Sequence, residues 1–195
     1  MSEQRPAHEL VVVGASWGGF AAVGELVAAL DARCALAVAI AQHRASDTSA
    51  ETYVRAMQSR CRLPVTEAGD KDRIELGRVY VAPADYHLLV DDGQFALTLE
   101  GPVRFSRPSI DVLFESAAET YGDRVVAVVL TGANDDGCRG ALAIKEAGGL
   151  VYAQDPDTAE RREMPDGVIR SGTVDAVLPV SDLAALLNRL GGVPA

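Results

Sequence analysis

Three residues of the sequence carry the side chains of a hydrolytic relay: Ser16, His43 and Asp136. Ser16 stands in Gly14-Ala15-Ser16-Trp17-Gly18, which matches the G-x-S-x-G pattern of a nucleophilic serine on a strand-to-helix turn. A histidine can take the proton of such a serine, and a carboxylate can hold the histidine and stabilise its charged form. The three residues together predict a serine nucleophile that cleaves acyl bonds, provided that the fold brings them into contact.

Each of these residues follows an apolar run that is typical of a buried β-strand. The runs cover 10–13, 36–41 and 124–130, and they are rich in valine, alanine and isoleucine. Because the carboxyl ends of parallel strands share one edge of an open sheet, we expect the three side chains to converge there. The glycines near Ser16 permit a tight turn, and the helix that follows offers free N–H groups to a developing anion.

Each residue also has an interpretation without catalysis. Ser16 can cap the helix that follows its turn, and Asp136 can cap the helix after it. His43 can be a structural histidine that pairs with a backbone carbonyl group. A dinucleotide-binding loop is disfavoured, because G-x-G-x-x-G needs glycine at position 16 and a carboxylate where this chain has Gln42-His43.

The alternation of strand and helix patterns predicts an α/β fold with parallel strand pairs. The middle of the chain differs, because Asp91-Asp92-Gly93-Gln94 is a turn signal between the strand-like runs 87–90 and 95–99, which predicts an antiparallel hairpin. Ser109 is the expected N-cap of a helix over 110–121, and Pro165 is expected to start another helix. Further helices are predicted over 18–30, from Asp47–Ser49 to 59, from 138 to 147 and over 181–190.

The composition argues against several classes of protein. A net charge of −10 disfavours binding to nucleic acid and to anionic membrane surfaces. No export signal and no apolar run of about 18 residues is visible, so we expect a cytoplasmic chain that does not insert into a membrane. Its 3 cysteines are widely spaced and are expected to be reduced thiols, and no Cys/His spacing suggests a metal or a cofactor. Residues 1–8 are expected to be a loose tail, and residues 9–192 a single domain.

Several motifs, in this order, resemble the catalytic domain of the CheB-type chemoreceptor protein-glutamate methylesterases. They are Gly14-Ala15-Ser16-x-Gly18-Gly19, Gln42-His43, Ala82-Pro83, Arg107-Pro108-Ser109-Ile110-Asp111-Val112-Leu113-Phe114, Leu130-Thr131-Gly132 and Asp136-Gly137. The resemblance spans nearly the whole chain, from about residue 10 to residue 190. It implies a doubly wound, mostly parallel sheet flanked by helices, with one antiparallel hairpin. It also implies that Ser16, His43 and Asp136 are the catalytic triad.

The resemblance further implies an activity and its partners. A member of this family removes methyl groups from glutamate side chains on chemoreceptor cytoplasmic helices, and it can deamidate glutamine there. The N–H of Trp17 and the loop near Ala133 are expected to hold the oxyanion. Most family members carry an N-terminal receiver domain; we expect none here, and hence no control by intramolecular phosphorylation. A separate receiver or methyltransferase protein is then a candidate partner.

The sequence departs from the family pattern at two places beside the expected site. Trp17 replaces the usual threonine after the nucleophile, and Ala133-Asn134 replaces Met-Gly in the family's Thr-Gly-Met-Gly-x-Asp-Gly loop. Asp136 is preferred to Asp135 as the triad acid because it precedes glycine, as in the family. These departures leave two alternatives open: a catalytically weak member that binds a partner in a chemosensory cluster, and an esterase with a different substrate.

Overall fold

The structure is a computed structural model, and it describes residues 8–44 and 49–194. The loose tail predicted for residues 1–8 therefore lies, except for His8, outside the described residues. The predicted helix start at Asp47 also lies outside them, whereas Ser49 is described and is the N-cap of its helix, accepting a hydrogen bond from the N–H of Thr52.

The centre of the fold is a parallel sheet of seven described strands. In chain order the structure contains β1 (Leu10–Ala15), β2 (Ala37–Gln42), β3 (Val65–Glu67), β4 (Val79–Val81), β5 (His87–Asp91), β6 (Gln94–Thr98), β7 (Val125–Val129), β8 (Leu150–Gln154) and β9 (Ala176–Leu178). The sheet order is β3-β4-β2-β1-β7-β8-β9, with every neighbouring pair parallel. Because β1 and β2 are completely buried apolar runs, they form in the middle of the sheet, covered on both faces.

Strands β5 and β6 form a separate antiparallel hairpin. Its two turn residues, Asp92 and Gly93, have φ values of 45° and 76°. Positive φ at both central positions matches the right-handed twist of the two strands, which is why Asp-Gly is favoured in such turns. The hairpin that the sequence predicts is confirmed.

Helices cover both faces of the sheet. They are α1 (Gly19–Ala28), α2 (Ala50–Gln58), α3 (Ile110–Tyr121), α4 (Cys138–Glu146), α5 (Glu163–Arg170) and α6 (Val180–Leu190). The buried residues of α1, α2 and α6 belong to one apolar core, and those of α3, α4 and α5 share the other with the hairpin. The chain winds outward from β1 through β2 and, after the hairpin and α3, from β7 through β8. Crossovers between parallel strands are almost always right-handed, and two windings in opposite directions then place their helices on opposite faces, as the two separate cores show.

The predicted fold class is confirmed, with small shifts of element ends. Helix α5 begins at Glu163, two positions before Pro165, so the proline lies in its first turn rather than at its first residue. The prediction of one domain over 9–192 stays a prediction. None of the helices in the described ranges is long and apolar enough to cross a membrane.

A glycine sets the distance between α3 and the strand that carries the serine turn. A Cβ at Gly14 would lie 2.4 Å from Cγ2 of Ile110, the first residue of α3. The start of α3 therefore packs directly on the carboxyl end of β1. This contact brings the 109–111 segment into the switch point between β1 and β7, where an open α/β sheet places its ligands.

Candidate active site

Ser16 lies on the turn between β1 and α1, at the carboxyl edge of the sheet. Its N–H donates to the carbonyl oxygen of Thr131, just beyond β7, at 2.9 Å. The N-cap of α1 is Gly18, with a φ of 76°, and no side chain caps that helix. Ser16 is thus not the cap that the non-catalytic interpretation requires, and its hydroxyl is directed to a histidine instead.

His43 follows the last residue of β2 and is held beside the serine turn. Its N–H continues the sheet by donating to the carbonyl oxygen of Ala15 at 3.0 Å. The ring spans the two other predicted residues: Nδ1 lies 3.2 Å from Oγ of Ser16, and Nε2 lies 2.8 Å from Oδ2 of Asp136. The side chain is only 12% exposed. The sheet therefore brings all three predicted residues together, with the imidazole between the hydroxyl and the carboxylate.

Asp136 is fully buried and accepts hydrogen bonds on both oxygens. Oδ2 accepts from His43 and from the N–H of Ile110 at 2.8 Å, while Oδ1 accepts from the hydroxyl of Ser109 and the N–H of Asp111 at 3.1 and 3.0 Å. Burial alone raises the pKa of this carboxyl, but the hydrogen bonds from His43, Ile110 and Asp111 outweigh it and bring the pKa below its ordinary value. The carboxylate is therefore charged, and it fixes the histidine proton on Nε2.

The helix that Asp136 caps is not the one predicted from the sequence. The N-cap of α4, directly after it, is Gly137 and makes no side-chain hydrogen bond, whereas Asp136 binds the first N–H groups of α3. The first turn of α3 makes the reciprocal contact with the start of α4. Oδ1 of the buried Asp111 accepts from the N–H groups of Gly137 and Gly140 at 2.9 Å each. Each of two adjacent helices thus has its N-terminus capped by a carboxylate from the other's segment.

Trp17 and Ala133 offer backbone donors beside the serine. Neither N–H donates to an acceptor within the described part of the chain. The Trp17 side chain is 59% exposed, and its indole N–H donates to Oε1 of Glu160 at 2.8 Å. Oγ1 of Thr131 lies 2.9 Å from the carbonyl oxygen of Trp17, which ties the serine turn to the loop after β7. Free N–H groups can stabilise an oxyanion, and that role for the N–H of Trp17 and the loop near Ala133 stays a prediction.

Two further side chains lie close to His43, and neither of them was predicted from the sequence as its neighbour. Oγ of Ser106 and Nδ2 of Asn134 each lie 3.3 Å from Nδ1 of His43. Ser106 lines a cavity of about 430 Å³ together with His43 and the fully exposed Phe105. Asn134 was visible as a departure in the Thr131-to-Gly137 loop, but nothing in the sequence around Ser106 marked it, because it lies in an irregular loop.

The other residues of interest have structural surroundings. His87 is buried, accepts from the N–H of Ser109, and lies 3.1 Å from the carbonyl oxygen of Gly101. The cysteines at positions 34, 61 and 138 are free thiols, and burial raises the pKa of each. Within residues 8–44 and 49–194, no group of three or more His, Cys, Asp or Glu side chains is arranged to hold a metal ion.

Comparison with known proteins gives matches over nearly the whole chain. A relative from Leptospira interrogans is 42% identical over 184 residues, which cover 94% of this chain and 95% of that protein. A relative from Saccharophagus degradans, named protein-glutamate methylesterase/protein-glutamine glutaminase 1, is 39% identical over 90% of this chain and 48% of its own length. Against this relative and several others, the chain spans about half of the protein it matches.

Structural comparison and a family model agree with these relatives. The crystal structure of the Thermotoga maritima CheB methylesterase catalytic domain matches with a TM-score of 0.89 and 32% identity, covering 94% of this chain and 98% of that one. The family model described as CheB methylesterase matches residues 11–187, which include all three residues of the Ser-His-Asp constellation. The chain therefore belongs to the CheB methylesterase family.

Proposed function

We propose that this chain hydrolyses the γ-methyl esters of glutamate side chains, and the γ-amides of glutamine, with Ser16 as nucleophile. The observation that carries the proposal is the pair of contacts made by His43, 3.2 Å to Oγ of Ser16 and 2.8 Å to Oδ2 of Asp136. Such a chain of hydrogen bonds activates a hydroxyl for acyl transfer. The names of several relatives give the same two activities.

In the first half of the reaction, Oγ of Ser16 attacks the ester carbonyl while its proton moves to Nδ1 of His43. The buried carboxylate of Asp136 stabilises the imidazolium through its bond to Nε2. The negative charge that develops on the carbonyl oxygen is held by the free N–H groups of Trp17 and Ala133. The carbon–methoxy bond then breaks, methanol leaves with the proton, and the glutamyl group stays bound to Ser16.

In the second half, water attacks the acyl-enzyme and gives its proton to the imidazole. The bond between the acyl carbon and Oγ of Ser16 breaks, the serine regains its proton, and a free glutamate side chain is released. With glutamine, ammonia replaces methanol as the first leaving group and the acyl-enzyme is the same.

The substrate is proposed to be the cytoplasmic helices of chemoreceptors, within a chemotaxis or related chemosensory pathway. A protein substrate is supported by an open cavity lined by His43 and the exposed Phe105, and by the exposed ring of Trp17, which directly follows the nucleophile. A methylated side chain on a protein helix can reach Ser16 there, and the exposed aromatic rings can contact the apolar part of the helix. A separate receiver or methyltransferase protein is proposed as a regulatory partner.

Replacement of the nucleophile tests the proposal. Ser16→Ala should lower methanol release from a methylated receptor fragment by about 10⁴-fold or more, because the acyl-enzyme cannot form. Ser59→Ala is a matched control: this exposed serine follows α2, and its hydroxyl donates to the carbonyl oxygen of Ala56. It should leave methanol release unchanged.

Labelling separates this activity from the alternatives. A serine-directed phosphonate should label the wild type at Ser16 and leave Ser16→Ala unlabelled. Methanol release that survives the Ser16→Ala change would rule out the proposed nucleophile. A wild type that binds the receptor fragment but shows neither labelling nor methanol release would favour a partner-binding role. Cleavage of a small chromogenic ester without action on receptor esters would favour a different substrate.

A further inference from the structure

The hydroxyl groups of Ser106 and Ser16 both lie within hydrogen-bond distance of the same atom, Nδ1 of His43. Oγ of Ser16 lies 3.2 Å and Oγ of Ser106 3.3 Å from Nδ1 of His43, and Nδ2 of Asn134 also lies 3.3 Å away. Because the charged carboxylate of Asp136 holds the ring proton on Nε2, Nδ1 presents a single lone pair to these three donors. Only one of the three donors can form a good hydrogen bond to Nδ1 at a time, so the other two can bond to a substrate or to water during a reaction.

The two extra neighbours of Nδ1 differ in what they can do once the ring is protonated. Asn134 is oriented by its Oδ1, which accepts from the N–H of Asp136 at 3.2 Å, so its amino group faces His43. An amide amino group only donates, whereas a hydroxyl both donates and accepts. After Ser16 is acylated and Nδ1 carries a proton, Ser106 is the one of these side chains that can accept that proton.

Ser106 is also held in place by its own backbone. Its N–H donates to the carbonyl oxygen of Val103 at 2.9 Å, and its carbonyl oxygen accepts from the N–H of Val103 at 3.1 Å. Between them Arg104 and Phe105 have positive φ values of 48° and 64°, so the segment is a closed tight turn. Ser106 stands at the base of this turn, on the wall of the cavity that also borders His43. The turn thus fixes the backbone of Ser106 on the cavity wall, with its hydroxyl 3.3 Å from Nδ1 of His43.

We propose that Ser106 is a further catalytic residue of this site, which carries protons between Nδ1 of His43 and the leaving group or the attacking water. The proposal rests on the proposed function. When the carbon–methoxy bond breaks, Nδ1 gives its proton to Oγ of Ser106, and the original Ser106 proton passes to the methoxy oxygen, forming methanol. When water attacks, its proton passes to Oγ of Ser106 while the Ser106 proton returns to Nδ1. Ser106 is unchanged after each step.

The leaving group provides a test that a structural role would not satisfy. A methoxy group needs a proton to depart, whereas 4-nitrophenolate departs without one. We therefore compare the γ-methyl ester and the γ-(4-nitrophenyl) ester of one glutamate-containing peptide, following the nitrophenolate burst and methanol release. Ser106→Ala should slow methyl-ester acylation and deacylation by about 100-fold and leave the nitrophenyl burst rate within a factor of about three. Ser106→Thr, which keeps the hydroxyl, should restore both slowed steps.

Different outcomes reject different statements. Equal slowing of the acylation step of both esters by Ser106→Ala, or no slowing of either acylation step, overturns the role of Ser106 and leaves the role of Ser16 intact. Failure of Ser106→Thr to restore the slowed steps overturns it too, provided that the urea midpoints of both variants equal that of the wild type. Nitrophenolate release that persists in Ser16→Ala, or a wild type that cleaves neither ester, overturns the proposed function and the inference with it.

Discussion

Asp136→Asn is the most informative single change, because it alters one atom of a carboxylate that both orients the histidine and caps α3. The amide can keep its oxygen on only one side. If the oxygen faces His43, the amino group faces the N–H of Asp111; if it is turned over, the amino group faces the N–H of Ile110 and Nε2 of His43. Either orientation leaves one buried backbone N–H without an acceptor.

The first orientation costs less catalytically, because it keeps the histidine proton on Nε2 and needs only a rotation of the Ser109 hydroxyl. Even so, the negative charge that stabilises the imidazolium is lost. We expect kcat/KM for methyl-ester hydrolysis to fall by about 10³- to 10⁴-fold. One unsatisfied buried N–H and the weakening of the remaining hydrogen bonds should lower the free energy of unfolding by about 2–4 kcal/mol.

The stability effect should depend on pH with a defined sign. The pKa of Asp136 is lower in the folded chain than its ordinary value of 3.8, so the carboxylate stabilises the fold above that value. As the pH falls through the lowered folded pKa, this contribution is lost. The difference in free energy of unfolding between wild type and Asp136→Asn should therefore be constant near neutral pH and shrink below about pH 4.

The assays are methanol release from a methylated receptor fragment and urea denaturation across pH. Asp135→Asn is the matched control, because Asp135 is the adjacent residue but is largely exposed and paired with Arg104. It should change the free energy of unfolding by less than about 1 kcal/mol and kcat/KM by less than about threefold. A folded Asp136→Asn protein with activity within tenfold of wild type, or an Asp135→Asn protein that loses as much, would refute the reasoning.

Three further changes have defined outcomes. Asp111→Ala removes the acceptor of two N–H groups at the start of α4, so it should lower the free energy of unfolding by about 3–5 kcal/mol in urea denaturation. Asp111→Asn keeps an oxygen there and should lower the free energy of unfolding by about 1–2 kcal/mol. A methyl group at Gly132 would lie 1.9 Å from Sδ of Met164 and 2.9 Å from Cβ of Ser16, so Gly132→Ala should displace both side chains. It should lower kcat/KM for methyl-ester hydrolysis by about 100-fold. Trp17 is the one tryptophan of the sequence and bonds Glu160, so Glu160→Ala should shift its emission to the red and lower its anisotropy, while Glu160→Gln should retain the wild-type spectrum.

The sequence was sufficient to predict where the three residues of the constellation meet. Ser16, His43 and Asp136 all follow valine- or alanine-rich runs, and such runs are stable only as buried strands of a covered parallel sheet. Once the strands are parallel, their carboxyl ends must share an edge, and the reversal of winding beside β1 opens the crevice there. The strand pattern thus predicts that residues 27 and 93 positions apart lie near one another, whereas the choice of Asp136 over Asp135 came from the family motif.

The contacts around that constellation were not predictable in the same way. Asp136 precedes α4 in the sequence, and local rules of capping assign it to that helix. Instead the close packing of Ile110 on Gly14 brings the start of α3 within reach, and its N–H groups bind the carboxylate. Ser106 gave no signal at all, because its position depends on a tight turn at Arg104 and Phe105, two residue types that rarely adopt positive φ.

The exchange of carboxylates between α3 and α4 has a consequence for how the site keeps its geometry. Asp111 is buried, and burial raises its pKa, so holding it charged costs free energy. What it provides is a fixed start for α4, and with it a fixed position for the 131–137 loop that carries Ala133, Asn134 and Asp136. In return, Asp136 fixes the start of α3, which lies against β1 and the serine turn. Neither helix can shift without disturbing a buried carboxylate of the other, so the residues around His43 are held by the core of the fold, although the loop itself departs from the family pattern.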